Sequence, residues 1–248
     1  MTAQRYRTPA MRAFHEAPQA ASRLVCFPHA GGFASYFFPL SRALAPAVEV
    51  LGVQYPGRLD RSEEPAVEDI GVLAEEAAAL IADDPHPPPT LFGHSMGALV
   101  AFETAKRLTR DHGITPAGLI VSGMRAPSRP RRRPRDWDRE EELLDEMRLL
   151  SGTDPALMED EELRELFLPV LRSDFRAVNA YPGDDTVLSC PVTAFAGDED
   201  PVTPDGVHHW ATHTSAEFTT RSFPGDHFYL KGFPPSVTAA VREALSRS

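Results

Sequence analysis

Five residues constrain the fold of this chain more than any others: Gly93-His94-Ser95-Met96-Gly97. Thr90-Leu91-Phe92 runs into them as a short apolar strand, and a helical pattern leaves from Ala98 onward. A Gly-x-Ser-x-Gly turn between strand and helix places the serine on a sharp, strained turn that lifts its hydroxyl away from the chain. The two glycines answer to the same geometry. Strand and helix come so close that a Cβ at either position would clash. Such a turn needs a buried strand with a helix packed over it, so the rest of the chain has to supply a layered α/β core.

It does. Short apolar runs read as buried strands at Leu24–Pro28, Val48–Gln54, Thr90–Gly93, Leu119–Ser122, Val192–Ala196 and Glu217–Phe223. Segments of helical spacing alternate with them: Tyr36–Ala45, Ile70–Ile81, Ala98–Leu108 and Val237–Leu245. Alternating strands and helices imply parallel pairing through right-handed crossovers, with helices covering both faces of the sheet. The alternation fails once, over about 125–181. A Pro/Arg loop opens that stretch, followed by two amphipathic helices. The first carries Leu143, Leu144, Met147 and Leu150; the second carries Leu163, Leu166, Phe167, Val170 and Leu171 at i, i+3, i+4, i+7 and i+8. Loss of alternation favours a helical lid over ordinary flanking helices. The expected organisation is an N-terminal arm over 1–21 and a single domain over 22–248. Together these features predict the α/β-hydrolase fold: a mostly parallel central sheet, helices on both faces and a lid insertion.

A serine hydroxyl is a weak nucleophile until a base takes its proton, and in this fold acid and base follow the serine in chain order. Of nine histidines, His227 follows the last strand directly, in Pro224-Gly225-Asp226-His227, and is the expected base. His208, His209 and His213 fall in a helical stretch without a third metal ligand and read as solvated surface. The carboxylate that orients the base has one local source. Gly123 to Pro134 contains no acid, whereas Gly197-Asp198-Glu199-Asp200 follows a strand. Asp200 is preferred for its place in Gly-x-x-Asp, and Asp198 is the alternative. An oxyanion requires two N–H donors. One is the amide of Met96, the residue after the nucleophile. The other comes from the small-residue loop Phe27-Pro28-His29-Ala30-Gly31-Gly32, with Ala30 preferred and Gly31 second.

Charge and hydropathy exclude several classes. Against 25 Lys and Arg stand 36 Asp and Glu, a formal charge of −11, which repels phosphate backbones and anionic lipid. Nucleic acid and membrane are therefore not expected partners. No apolar run approaches the ~20 residues of a membrane span, and the polar start lacks a signal-peptide core, so a cytoplasmic protein is expected. Cys26 and Cys190 read as buried thiols. No cofactor and no metal are called for.

Four stretches resemble one family, the discrete type II (external) thioesterases of polyketide and nonribosomal peptide synthesis. They are Phe27-Pro-His-Ala-Gly-Gly32, Tyr55-Pro-Gly-Arg58 with Arg61 and Glu64, Gly93-His-Ser-Met-Gly97, and Gly225-Asp-His-Phe228. Leu168-Pro169 through Arg172, with Asp174-Phe175, is similar too, and the likeness spans roughly 22–245. What it implies is hydrolysis of acyl groups from the phosphopantetheine arm of acyl carrier proteins or peptidyl carrier domains, clearing aberrant chains. Ser95, Asp200, His227, Met96 and Ala30 occupy the family's positions.

Several residues beyond these are candidates for contact with substrate. His29 flanks the site. Arg58 either pairs with Glu63 or Glu64 or reaches the substrate. Leu163, Phe167 and Leu171 share a helix face that could roof the acyl group. Arg131, Arg132 and Arg133, with Arg129 and Arg135, form the densest basic cluster and would suit an acidic carrier protein, or else a solvated hinge. Three rival readings stand beside the thioesterase: a generic carboxylesterase or lipase, a domain cut from a synthase (against which the chain opens on Met1), and a hydrolase-fold binding protein without catalysis.

Overall fold

The computed structural model describes residues 7–84, 86–129, 135–150, 161–201 and 207–247, leaving out the side chains of Arg7, Glu162, Leu163 and Leu166. Among the described residues eight strands make one sheet: β1(Arg7–Thr8), β2(Met11–Ala13), β3(Ser22–Phe27), β4(Val48–Val53), β5(Thr90–His94), β6(Gly118–Ser122), β7(Val192–Gly197) and β8(Phe218–Phe223). Their order is β1-β2-β4-β3-β5-β6-β7-β8. All pairings from β4 to β8 are parallel, in registers such as Leu24↔Thr90, Thr90↔Gly118 and Val192↔Phe218.

The central strands are apolar throughout because both their faces are covered. Side chains alternate between two cores. Val25, Phe27, Leu91, Val121 and Ala194 join one, beneath α2(Ile70–Ala82) and α3(Met96–His112). Leu24, Cys26, Phe92, Ile120 and Phe195 join the other, with α1(Phe38–Leu44) and the C-terminal helix Pro235–Ser246. Cys26 and Cys190 are buried in different cores, hence on opposite sides of the sheet. Asp69 starts α2 by accepting from the amides of Gly71 and Val72 at 2.6 and 3.1 Å.

The expected arm needs correction. Met11–Ala13 pairs antiparallel with β4, and Arg7–Thr8 pairs with Met11–Ala13 in turn, so this segment extends the sheet at its edge. Two- and three-residue strands carry too little apolar pattern to stand out in a sequence. Their pairing is decided by the free edge of β4.

Between Ser122 and Val192 the described residues form no strand. They contain α4(Glu140–Leu149) and a 20-residue helix, α5(Glu161–Ala180). Leu143, Met147, Leu168, Leu171 and Phe175 build a small separate core between the two, which also reaches Ala30. This pair of helices therefore sits at the C-terminal end of the strands, where open α/β sheets place their ligands.

Candidate active site

β5 delivers Ser95 on a turn that only this sequence pattern tolerates. Ser95 has φ 54° and ψ −122°, left-handed backbone that a side chain rarely adopts. A Cβ on Gly93 would lie 2.1 Å from the carbonyl oxygen of Gly97, and one on Gly97 would lie 2.0 Å from that of Phe27. Both obstacles are backbone, so neither glycine can be replaced without moving the turn. The Ser95 amide donates to the Ser122 carbonyl at 2.8 Å, fastening the turn to β6.

β7 and β8 deliver the other two groups. His227 Nδ1 lies 2.9 and 3.0 Å from the two carboxylate oxygens of Asp200. Both residues are buried. A ring held this way donates its Nδ1–H to the carboxylate and keeps its lone pair on Nε2. Nε2 itself is buried and has no hydrogen-bond partner among the described residues, Ser95 included. Asp198 is exposed, and its Oδ1 accepts from the Gly225 amide at 2.8 Å. It braces the loop that carries His227 and stays clear of the imidazole.

The loop after β3 is anchored atom by atom. Its Pro28 carbonyl accepts from the Tyr55 hydroxyl at 3.2 Å, and its Gly32 amide donates to the His29 carbonyl at 2.8 Å. The Gly31 amide donates to Asp174 Oδ2 at 2.7 Å, which removes Gly31 as an oxyanion donor. The amides of Ala30 and Met96 donate to no acceptor among the described residues. Arg58 departs from expectation. It pairs with neither nearby glutamate; its guanidinium meets Asp174 through two bonds of 2.8 and 2.7 Å, with the side chain only 2% exposed. Arg61 takes Glu64 and Glu76 instead. Arg58 is thus closed off from substrate, because its cation is spent on a buried carboxylate.

Three imidazoles cluster behind the turn. The His94 ring stands 5.0 Å from that of His227 and 5.8 Å from that of His29. Gly123 is wedged between the first two: a Cβ there would lie 2.9 Å from His94 Cε1 and 3.0 Å from His227 Cε1. His94 Nδ1 meets the Ser122 hydroxyl at 2.9 Å, and that hydroxyl meets the Tyr229 hydroxyl at 2.6 Å. His29 touches Tyr36 and Phe228 edge-on, away from the cavity. Part of His29 reaches the surface, but its Nδ1 is shut off from solvent. Burial first, then repulsion from His227 and Arg58, pushes His29 down to about 3. Burial, then His227 and His29, likewise holds His94 well below the usual histidine range.

Both rings therefore remain neutral in the folded protein where an unfolded chain protonates them, near pH 6.5. The stability this contributes is complete above pH 6.5 and is lost as pH falls below it, toward pH 3 for His29. Each proton steepens the loss by about 1.4 kcal/mol per pH unit. Urea unfolding between pH 6.5 and 5 should show this slope, and His94→Asn, which cannot titrate, should remove about one proton of it. Identical slopes in both proteins would contradict the neutral assignment.

A cavity of about 150 Å³ adjoins these groups, lined by Ala30, Ser95, Met96 and His227 and walled by Met124, Trp137, Leu150, Phe175 and Val178. Helix α5 presents a different face from the one expected. Phe167 and Leu171 press on the Gly31 position, where a Cβ would meet them at 2.8 and 3.1 Å, whereas Phe175, Val178 and Asn179 face the cavity. The Leu163 side chain lies outside the described residues, as do Arg131, Arg132 and Arg133. Arg129 and Arg135 line the cavity, the latter 3.0 Å from Glu146. His213, expected on the surface, is buried; it bonds the Thr186 carbonyl and the Ser128 hydroxyl, each at 2.9 Å.

Asp174 escaped sequence reasoning as a functional residue. Its signal was a carboxylate on the apolar stripe of α5, in step with Phe167 and Leu171, where an unpaired charge could not be buried.

Comparison with known proteins places this geometry among relatives. The thioesterase domain family matches residues 22–245. Thioesterase PikA5 of Streptomyces venezuelae is 50% identical over 226 residues, covering 89% of this chain and 79% of that protein. The gramicidin S biosynthesis protein GrsT of Aneurinibacillus migulanus is 36% identical over 215 residues, covering 85% and 84%. Among solved structures, the type II thioesterase BorB from the borrelidin biosynthetic cluster superposes with a TM-score of 0.85 at 42% identity, over 96% of this chain and 98% of that one.

Proposed function

This chain belongs to the thioesterase domain family, and we propose that the thioesters it hydrolyses join acyl groups to the phosphopantetheine arm of carrier proteins in polyketide or nonribosomal peptide synthesis. The observation that carries the reading is a buried Asp200–His227 pair opening onto the same apolar cavity as Ser95. In this reading Ser95 Oγ attacks the thioester carbonyl as His227 Nε2 takes its proton. The oxyanion rests on the amides of Met96 and Ala30. The C–S bond then breaks, and the proton passes from Nε2 to the departing sulfur. Water repeats the sequence on the acyl-enzyme: Nε2 removes its proton, the acid leaves, and Ser95 recovers its hydrogen. The Ser95–His227 contact forms with substrate in place, as such contacts commonly tighten from looser unliganded geometry.

A thioester suits this site. Sulfur gives its carbonyl little resonance, and a thiol leaves more readily than an alcohol, so most of the barrier lies in attack and oxyanion formation. We place the protein in the cytoplasm with its carrier proteins; no helix among the described residues is long and apolar enough to cross a membrane. The helices over about 125–181 serve as the lid of the acyl site.

A cavity of 150 Å³ admits a group of about six carbons, the size of benzene. On one carrier protein loaded with a series of acyl chains, kcat/KM should hold up to about that length and fall by tenfold or more beyond it. The same acyl groups as p-nitrophenyl esters should turn over with lower kcat/KM. Preference for the free esters would mark a general carboxylesterase and overturn the carrier assignment.

A further inference from the structure

We propose that Arg58 and Asp174 are positioning residues that set the oxyanion loop from the lid helix, so that transition-state stabilisation depends on the lid being seated; this rests on the reading of Ala30 as an oxyanion donor. The chemistry of one carboxylate carries the argument. Asp174 is fully buried, and its Oδ2 receives two donors, the Gly31 amide at 2.7 Å and Arg58 Nη1 at 2.8 Å. Its Oδ1 receives Arg58 Nη2 at 2.7 Å. A fork of this kind fixes the plane of the carboxylate as well as its distance. Arg58 is itself oriented by the Pro56 and Gly32 carbonyls, at 3.3 and 3.2 Å. The pair thus ties three segments together: the loop after β3, the Tyr55-Pro56-Gly57-Arg58 turn, and the middle of α5.

What the pair holds is the peptide unit between Ala30 and Gly31. That unit is planar, so fixing the Gly31 N–H fixes the carbonyl side of Ala30 as well. On the other side, the Pro28 carbonyl is held by Tyr55. The Ala30 amide lies between two anchored points and donates to no acceptor among the described residues, while Ala30 lines the cavity beside Ser95. Phe167 and Leu171 press on Gly31 from the same stripe of α5 that carries Asp174, and Gly31 takes φ 74°. If α5 shifts, the Gly31 amide loses its acceptor and the Ala30 amide loses its aim.

Such a device acts on the transition state more than on substrate binding, because the charge to be stabilised develops only there. Removing an oxyanion donor outright costs about 10²–10³ in kcat, so misaiming one should cost at least about tenfold. Asp174→Leu, which keeps no acceptor for the Gly31 amide, tests this, and because it strands a buried guanidinium it is paired with Arg58→Met/Asp174→Leu, which leaves no lone charge. The expected result, in both variants that fold, is kcat lowered at least about tenfold with KM within about threefold. A trifluoromethyl ketone, which adds to the serine and leaves its oxyanion in the hole, should lose affinity in the same proportion. A structural role alone would lower the titratable fraction of active sites and leave the remaining sites at wild-type affinity. Wild-type kcat in the folded double variant overturns the proposal, and so does a fall in kcat with unchanged ketone affinity. Ser95→Ala, run alongside, separates the two levels. If ketone affinity survives that substitution, the reading of the site fails and the positioning role fails with it.

Discussion

Ser95→Ala should fold as the wild type does and hydrolyse thioesters at least about 10⁴-fold more slowly, as loss of a nucleophile does in serine hydrolases generally. A fluorophosphonate should label the wild type at Ser95 and the variant nowhere; labelling that survives would move the nucleophile elsewhere. A second substitution separates chemistry from backbone. Ser95 sits at φ 54°, a region that costs a side chain about 1–3 kcal/mol and glycine almost nothing. Ser95→Gly should therefore be as inactive as Ser95→Ala yet melt higher, by about 2–4 °C for each kcal/mol released in a domain of this size. Equal melting temperatures would mean that the turn stores no more strain than the backbone entropy glycine loses on folding, about 0.5–1 kcal/mol.

Asp200→Asn should lower kcat by about 10³–10⁴-fold. An amide can donate its N–H₂ to Nδ1, which drives the ring proton to Nε2 and leaves no lone pair there for the serine proton. Asp198→Asn should change kcat less than about tenfold, since an exposed side chain that accepts from the Gly225 amide at 2.8 Å can do so as an asparagine. Steady-state kinetics of the two variants decide between the carboxylates. The reverse order would transfer the orienting role to Asp198.

Much of this architecture is legible in the sequence, for a physical reason. Parallel strands covered on both faces have to be apolar over their whole length, so Val25 to Phe27, Leu91 to Phe92 and Val192 to Ala196 announce themselves. Ser95 and Asp200, which follow two of those strands, are candidates by position, and His227 is a candidate because it follows the last strand, Phe218–Phe223. What stayed hidden depends on partners distant in sequence. Arg58 has two glutamates close by, but its ion pair is with Asp174, 116 residues away. The strand Met11–Ala13 exists because β4 offers it a free edge. Which turn of α5 faces the cavity depends on where the helix axis lies, so periodicity predicted the apolar stripe and left open that Phe167 and Leu171 would cover Gly31 while Phe175 and Val178 lined the cavity.

Ala30, Ser95, Asp200 and His227 all follow the C-terminal ends of parallel strands, β3, β5, β7 and β8. The loop bearing Ala30 is fastened by a residue 143 positions along the chain. Assembling such contacts means closing long loops before any of them is rewarded, which makes the site a late product of folding. A partly folded chain, even one with several strands paired, holds Ser95 as an ordinary hydroxyl with no base beside it and no oriented amides. With the site as proposed, its groups come together only when the last strand is in place, so a nascent or misfolded copy has no means of hydrolysing a thioester.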